Sequence, residues 1–353
     1  MEDFTGRGVD DLRRGVVATP LHPLTTLLDD PLRVLRSIRF AARLRFNMDE
    51  SLRNAAKNVK VRQALDVKVS RERVGGEVDL MLRSPDPVGA MRLLVNLHLA
   101  GTVFRLDKDV LSSIPLKNGE SDVFDEGLNL LSTTHDYLCD CKFSPPVWCQ
   151  SKSAFKSVVY DNVHEIMLND DEESRRVLWY SAFLKPLRDY HNTLEKITGE
   201  TKHSRKQGKK AHRSLIMKLM LDELKRPTRD AEAVERIMKG ADDFTRLINN
   251  GSSEAAINVL MNGVFVKPDP NPAANKVYCS MQKQNGELLE EVRIDSKSMD
   301  DDAIWKEAME YRLRCAQVLR QVKSLWRASL ILSLCEQLAE LNFDLAIEED
   351  VVR

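Results

Sequence analysis

The sequence predicts a mostly α, elongated protein with a small mixed piece at its start. Two observations carry this. Apolar residues recur at helical spacing along most of the chain, and no convincing strand pattern follows residue 20. A hydrophobic content of 42% with 30% charged residues across 353 positions fits folded, multi-domain chains and excludes a disordered class.

The elements follow in order. Residues 1 to about 28 hold a glycine-containing turn at Thr5 to Gly8, a strand candidate at Val16 to Ala18 and the loop TPLHPLT. From Asp30 the pattern becomes helical, with Leu32, Leu35, Ile38, Ala42 and Phe46 on one face. Helices are expected at 49–58, 70–83 and 86–99, the last two parted by Pro85 and Pro87. The stretch 104–120 is mixed, with a loop at Ser112 to Gly119. Further helices are expected at 122–142, 150–168, 172–188, 211–225, 229–249 and 252–263. KPDPNP at 267–272 reads as a stiff linker, and a helical hairpin closes the chain over 301–341.

The net charge of −1 conceals local segregation of acids and bases, so it neither demands nor excludes a nucleic-acid partner. Six cysteines in so long a chain do not make a disulfide framework, and the expected setting is intracellular and reducing. No apolar run approaches the ~20 residues that cross a bilayer, so no membrane partner is expected. The acidic, polar start MEDFTGRGVDD is no transit peptide.

The chemistry concentrates in DDPLRVLRSIRF, Asp29 to Phe40. Arg33, Arg36 and Arg39 make one stripe of a helix, and Arg43 and Arg45 follow with no acid among them. Asp30 and Arg33 lie three apart, on one side of the first turn. A carboxylate beside a guanidinium sets an acceptor next to a fork of donors. That pair complements cytosine, whose N4 amino group donates while N3 accepts, and adenine, whose N6 donates while N1 accepts. Guanine and uracil present a carbonyl and an N–H there, so both contacts fail. A plainer reading stands beside this one: Pro31 suits a first helical position, which makes Asp30 an N-cap.

VSRERVGGEVDLML, Val69 to Leu82, is the second motif. Ser70 is a good N-cap, Glu72 suits the positive helix start, and Arg73 and Glu77 are spaced to lock one another. Gly75 and Gly76 each cost a helix about 1 kcal/mol relative to alanine, tolerable where another backbone approaches closely. The basic run KHSRKQGKKAHR holds Lys202, Arg205, Lys206, Lys209, Lys210 and Arg213 without an acid. Such a run neutralises phosphates or forms a solvated loop. Cys139 and Cys141, with Cys149 and His135, are poorly spaced for zinc and read as buried thiols. No nucleophile elbow or metal-hydrolase pattern occurs, and GRG is too short for a phosphate loop.

Taken in order, MEDFTGRGVDDL, TPL-x-P, DDPLRVLRSIRFAARLRF and VSRERVGGEVDLML resemble the class II tRNA nucleotidyltransferases. These are the CCA-adding enzymes, with the related bacterial poly(A) polymerases. The resemblance is specific through residue 100, and beyond it the helical character and length are compatible with the longer, plant-like eukaryotic members.

The resemblance implies a remnant of an α/β nucleotidyltransferase head over 1–28, a neck over 29–110, a helical body over 111–265 and a tail over 266–353. Asp3, Gly6, Gly8 and Asp11 match the flexible head–neck connection. Asp30 and Arg33 match the motif that selects CTP and ATP without a nucleic-acid template, with Arg36 and Arg39 facing triphosphate or the recognition pocket. Arg73 and Glu77 would orient Arg33, and the basic run from Lys202 to Arg213 would contact tRNA phosphates.

The family's head precedes these motifs and carries a D-x-D pair for two Mg²⁺ ions, which activate the attacking 3′-hydroxyl and stabilise the leaving pyrophosphate. The expectation is that this chain holds no metal, has no catalytic residue of its own and is inactive alone, with residues 1–28 poorly anchored. The implied partners are tRNA, ATP and CTP. The implied location is the cytoplasm, with nucleus, mitochondrion or plastid open for a full-length parent. A headless RNA-binding protein, a poly(A) polymerase-like parent and a helical scaffold related only by ancestry are the alternatives.

Overall fold

The computed structural model describes residues 3, 6–105, 116–117, 120–139, 172–198, 213–249 and 301–352. The chain divides into two compact units, one drawn from 1–143, 167–242 and 324–353, the other from 144–166 and 243–323. The expected helices at 150–168 and 252–263, and the linker at 267–272, lie outside the described residues.

The first unit opens with helix α1 (Gly8–Arg14), which ends at Gly15 in a left-handed turn of φ 64°. Strand β1 (Val16–Val17) then pairs in parallel with β2 (Asn47–Met48). The Asn47 N–H donates to the Gly15 carbonyl at 2.8 Å and the Asp49 N–H to that of Val17 at 3.0 Å. The expectation of a poorly anchored start is thereby corrected for these residues. Strand β2 supplies the missing edge, and Phe46 packs within 3.4 Å of where a Gly15 side chain would begin.

TPLHPLT is not all loop, because Pro23 opens helix α2 (Pro23–Asp29). Proline is at home in a first turn, where its missing N–H would have no partner. Helix α3 (Leu32–Leu44) buries Leu32, Leu35, Ile38 and Ala42, the face read from the sequence. Helices α4 (Glu50–Ala56) and α5 (Val59–Lys68) follow, each capped by a side chain, Asp49 on the Ser51 N–H and Asn58 on the Lys60 N–H. Helices α6 (Arg71–Leu82) and α7 (Pro87–Asn96) agree with expectation, and the short α8 (Ala100–Phe104) completes this group.

Strands β3 (Leu116–Lys117) and β4 (Glu120–Ser121) form a two-residue antiparallel pair inside the stretch expected to be irregular. Helix α9 (Asp122–Cys139) packs on α10 (Glu172–Thr198), which runs ten residues past its expected end and through Pro186. A side chain at Gly127 would meet the Phe183 carbonyl oxygen at 2.3 Å, so glycine is what lets α9 and α10 approach. Around that contact the rings of Phe104, Phe124 and Phe183 lie 5.4–6.2 Å apart. Each buried ring contributes about 1.5–3 kcal/mol of apolar burial. Helix α11 (Leu215–Lys218) runs into a π turn at Leu219–Glu223, and α12 (Thr228–Asn249) follows.

A buried ion network ties α6, α10 and α12 together. Arg176, 1% exposed, donates to Asp79 at 2.7 Å and to Asp230 at 2.7 Å, and also to Glu173. Arg83 adds contacts to Asp79 at 3.0 Å and Glu173 at 2.8 Å. Farther along α10, Lys185 meets Asp189 at 2.6 Å, Asp242 at 3.2 Å and Glu336 of the last helix, α14 (Trp326–Val352). The second unit holds α13 (Asp301–Val322) and the end of α12, where the Tyr311 hydroxyl donates to the Leu247 carbonyl at 3.3 Å.

Candidate nucleotide-recognition site

The chain leaves α2 at Asp30 in extended backbone, φ −126° and ψ 97°, and enters α3 through Pro31. Asp30 Oδ1 accepts the Leu32 N–H at 3.2 Å, so the carboxylate caps the helix from just outside it. The capping reading and the base-edge reading are therefore compatible. One oxygen serves the helix, and the other, Oδ2, lies 3.8 Å from Arg73 Nη2, beyond direct hydrogen-bond distance.

Arg33 is held from below. Its Nη1 donates to the Thr26 carbonyl at 3.2 Å and to Asp29 Oδ2 at 3.2 Å. Its Nε and Nη2 have no partner among the described residues, and the side chain is 44% exposed. Each side chain is thus held by some of its polar atoms, leaving Asp30 Oδ2 and Arg33 Nε and Nη2 outside those hydrogen bonds.

The supporting residues differ from expectation. Arg73 and Glu77 do not orient Arg33. Arg73 reaches Asp30, while Glu77 Oε2 accepts from Arg39 Nε at 2.7 Å and Glu77 Oε1 lies 3.9 Å from Arg36 Nε. The reason is register: packing α6 on α3 sets Glu77 against the middle of the arginine stripe and Arg73 against its start. Arg39 is consequently no ligand-facing group. It is 9% exposed, paired with Glu77, and its guanidinium stacks 4.3 Å from the centre of the Phe40 ring. Arg36 stays half exposed. Sequence reasoning missed these contacts because Arg39 and Glu77 are 38 positions apart. It also missed Thr26 and Asp29, which hold Arg33.

The double glycine behaves as expected at one position. A side chain on Gly75 would stand 1.8 Å from the Leu224 carbonyl oxygen, whereas Gly76 has nothing within 4 Å. Arg226 Nη1 donates to the Gly75 carbonyl at 3.2 Å across the same contact. Ser70 sits at the N-cap of α6 without a side-chain hydrogen bond.

The described residues of the expected hinge lead into a helix. The Asp3 carboxylate accepts the Val9 N–H at 3.2 Å, Gly6 is left-handed at φ 68°, and Gly8 begins α1. Asp11 lies between Arg7 at 2.7 Å and Arg14 at 2.6 Å, and the hydrogen bond from Arg7 leads in holding its carboxyl below the usual range.

Lys202, Arg205, Lys206, Lys209 and Lys210 lie outside the described residues, as do Cys141 and Cys149. Arg213 is described and pairs with Asp222 at 3.5 Å. His135 rests against Trp179, ring centres 5.6 Å apart. Among the described residues no group of three His, Cys, Asp or Glu could hold a metal ion. No described helix is long and apolar enough to cross a membrane.

The protein is mostly helical, with Asp30 and Arg33 at the start of α3. Over 104 residues the chain is 43% identical to the mitochondrial CCA tRNA nucleotidyltransferase of Candida glabrata, a match covering 30% of this chain and 20% of that one. It is 43% identical over 121 residues to the mitochondrial enzyme of the same name from Saccharomyces cerevisiae, covering 34% and 22%. It is 33% identical over 102 residues to an A-adding tRNA nucleotidyltransferase of Halalkalibacterium halodurans, covering 28% and 22%. These similarities lie with tRNA nucleotidyltransferases, the family that the motifs of the chain resemble.

The match spans about a fifth of the length of those curated relatives. No family model matches. A solved CCA-adding enzyme with ATP aligns with 75% of this chain and 46% of its own at 16% identity and a TM-score of 0.40, too loose a likeness to carry any argument.

Proposed function

We propose that this chain is the neck, body and tail portion of a tRNA nucleotidyltransferase that adds CMP and AMP to tRNA 3′ ends without a template. On this reading the neck covers 29–110, the body 111–265 and the tail 266–353, and the partners are tRNA, CTP and ATP. The observation that carries it is the Asp30–Arg33 edge. Asp30 Oδ2 accepts from the N4 amino group of cytosine or N6 of adenine, and the free nitrogens of Arg33 donate to N3 or N1. Arg36, half exposed, is a cation available to phosphate. Magnesium and the carboxylates that hold it come from elsewhere in the full enzyme, so the neck chooses the base and does not by itself drive transfer. The relatives named mitochondrial make that organelle the first place to look for the parent. The A-adding relative keeps A-only addition as a second reading, since both activities need adenine at this edge.

Equilibrium binding of the four ribonucleoside triphosphates tests it. A bidentate edge discriminates by about 1–3 kcal/mol, roughly five- to 150-fold. ATP and CTP should therefore bind at least fivefold more tightly than GTP and UTP. Equal affinities for all four would sink the reading.

A further inference from the structure

The C-terminal end of α3, helix α4 and helix α7 enclose a cleft of about 810 Å³ that the base-reading edge does not use. Arg45, Arg53, Lys57 and Arg92 line it. All four are exposed, and none of their side chains has an ion pair or hydrogen bond among the described residues. Arg45 stands where α3 ends in a left-handed turn, φ 54°, at the rim of this space. Two carboxylates also line the cleft, those of Asp86 and Asp125. Asp86 is engaged in capping α7, accepting the Gly89 N–H at 2.7 Å. The remaining balance is positive.

Uncompensated like charges around one concavity repel, and a bound polyanion relieves that repulsion. Three of the four cations are guanidinium, and the planar fork matches phosphate oxygens two at a time. The small side chains of Ala41 and Ala42 are among those that line it. Arg45 lies twelve residues beyond Arg33, roughly 18 Å along a helix axis. Ala41, Ala42 and Arg45 line the cleft from the C-terminal end of α3, whereas Asp30 and Arg33 stand at its start. The cleft is therefore separate from the nucleotide edge.

We infer that this cleft binds consecutive phosphates of an RNA backbone, holding the RNA while the edge at Asp30 and Arg33 selects the nucleotide. The inference rests on the proposed tRNA reading for the identity of its occupant. Arg53 and Lys57 reach the cleft from one turn of α4, spaced i, i+4, and serve adjacent phosphates.

The test is a titration of labelled tRNA with the whole chain at several potassium chloride concentrations. Arg53→Glu/Lys57→Glu is compared with a control reversal outside the cleft, Arg236→Glu/Lys239→Glu on α12. Each phosphate contact contributes about 0.7–0.9 to the salt slope. The cleft pair should weaken binding at least tenfold at low salt and flatten the slope by about 1.5, with the control nearly unchanged. Arg92→Gln alone should give a smaller loss in the same direction. Wild-type binding with no loss in the cleft pair, or equal loss in the control, overturns the cleft and leaves the tRNA reading standing. Failure of the wild-type chain to bind tRNA at low salt overturns both.

Discussion

Two adjacent glycines in α6 should respond to the same substitution with opposite sign. Alanine relieves the backbone entropy cost of a helical glycine by about 0.5–1 kcal/mol. At Gly76 the new methyl group meets nothing within 4 Å, so Gly76→Ala should stabilise by that amount. At Gly75 the methyl would stand 1.8 Å from the Leu224 carbonyl oxygen and 2.5 Å from its carbon. Real contacts at this site need about 3 Å, so the segment after the π turn must retreat by more than about 1 Å. That retreat also strains the Arg226 hydrogen bond to the Gly75 carbonyl. Overpacking of this kind costs about 1–3 kcal/mol, and loss of the hydrogen bond about 1 more. Less the helical gain, Gly75→Ala should destabilise by roughly 1–3 kcal/mol. Urea unfolding followed by circular dichroism measures both. If Gly75→Ala proves as stable as Gly76→Ala, the close approach of the Leu224 backbone to α6 is refuted.

Other consequences concern the charged and thiol groups. Arg176→Met leaves the buried Asp79 and Asp230 without their shared cation and should cost about 3–5 kcal/mol, visible as a lowered melting temperature. The hydrogen bond from Arg176 leads in holding the Glu173 carboxyl below its usual range. Its contribution to stability is therefore full above the unfolded value near ~4.3 and is lost as pH falls through the folded value, so acid unfolding of Glu173→Gln should lack this component. Burial pushes the Cys335 thiol up to about 12. It should resist alkylation in the native chain at pH 8 and react once urea unfolds it.

The helical core was legible wherever apolar residues fell on one face, as in α3, whose Leu32, Leu35, Ile38 and Ala42 are buried as read. It was illegible in α5, where Val61 and Leu65 are buried while Val59 and Val67 are exposed, so no single apolar stripe marks the helix. In α2, two prolines hid a helix because only one of them, Pro23, lies inside it, at a position that tolerates it. At the site, Asp30 and Arg33 could be paired from spacing because their relation is local. The partnership of Glu77 with Arg39 and of Arg73 with Asp30 depends on how α6 lies on α3, which local periodicity does not encode. The anchoring of β1 was hidden for the same reason, since its partner arrives thirty residues later.

The base edge itself is tested most directly by Asp30→Asn. Asparagine keeps the size and the capping ability of aspartate, so the melting temperature should hold while the pure acceptor beside Arg33 is lost. The measurement is the ratio of ATP to GTP affinity in the two proteins at one salt concentration. The account predicts a ratio of at least fivefold in the wild type that falls toward one in Asp30→Asn. An unchanged ratio, with the fold intact, would contradict it.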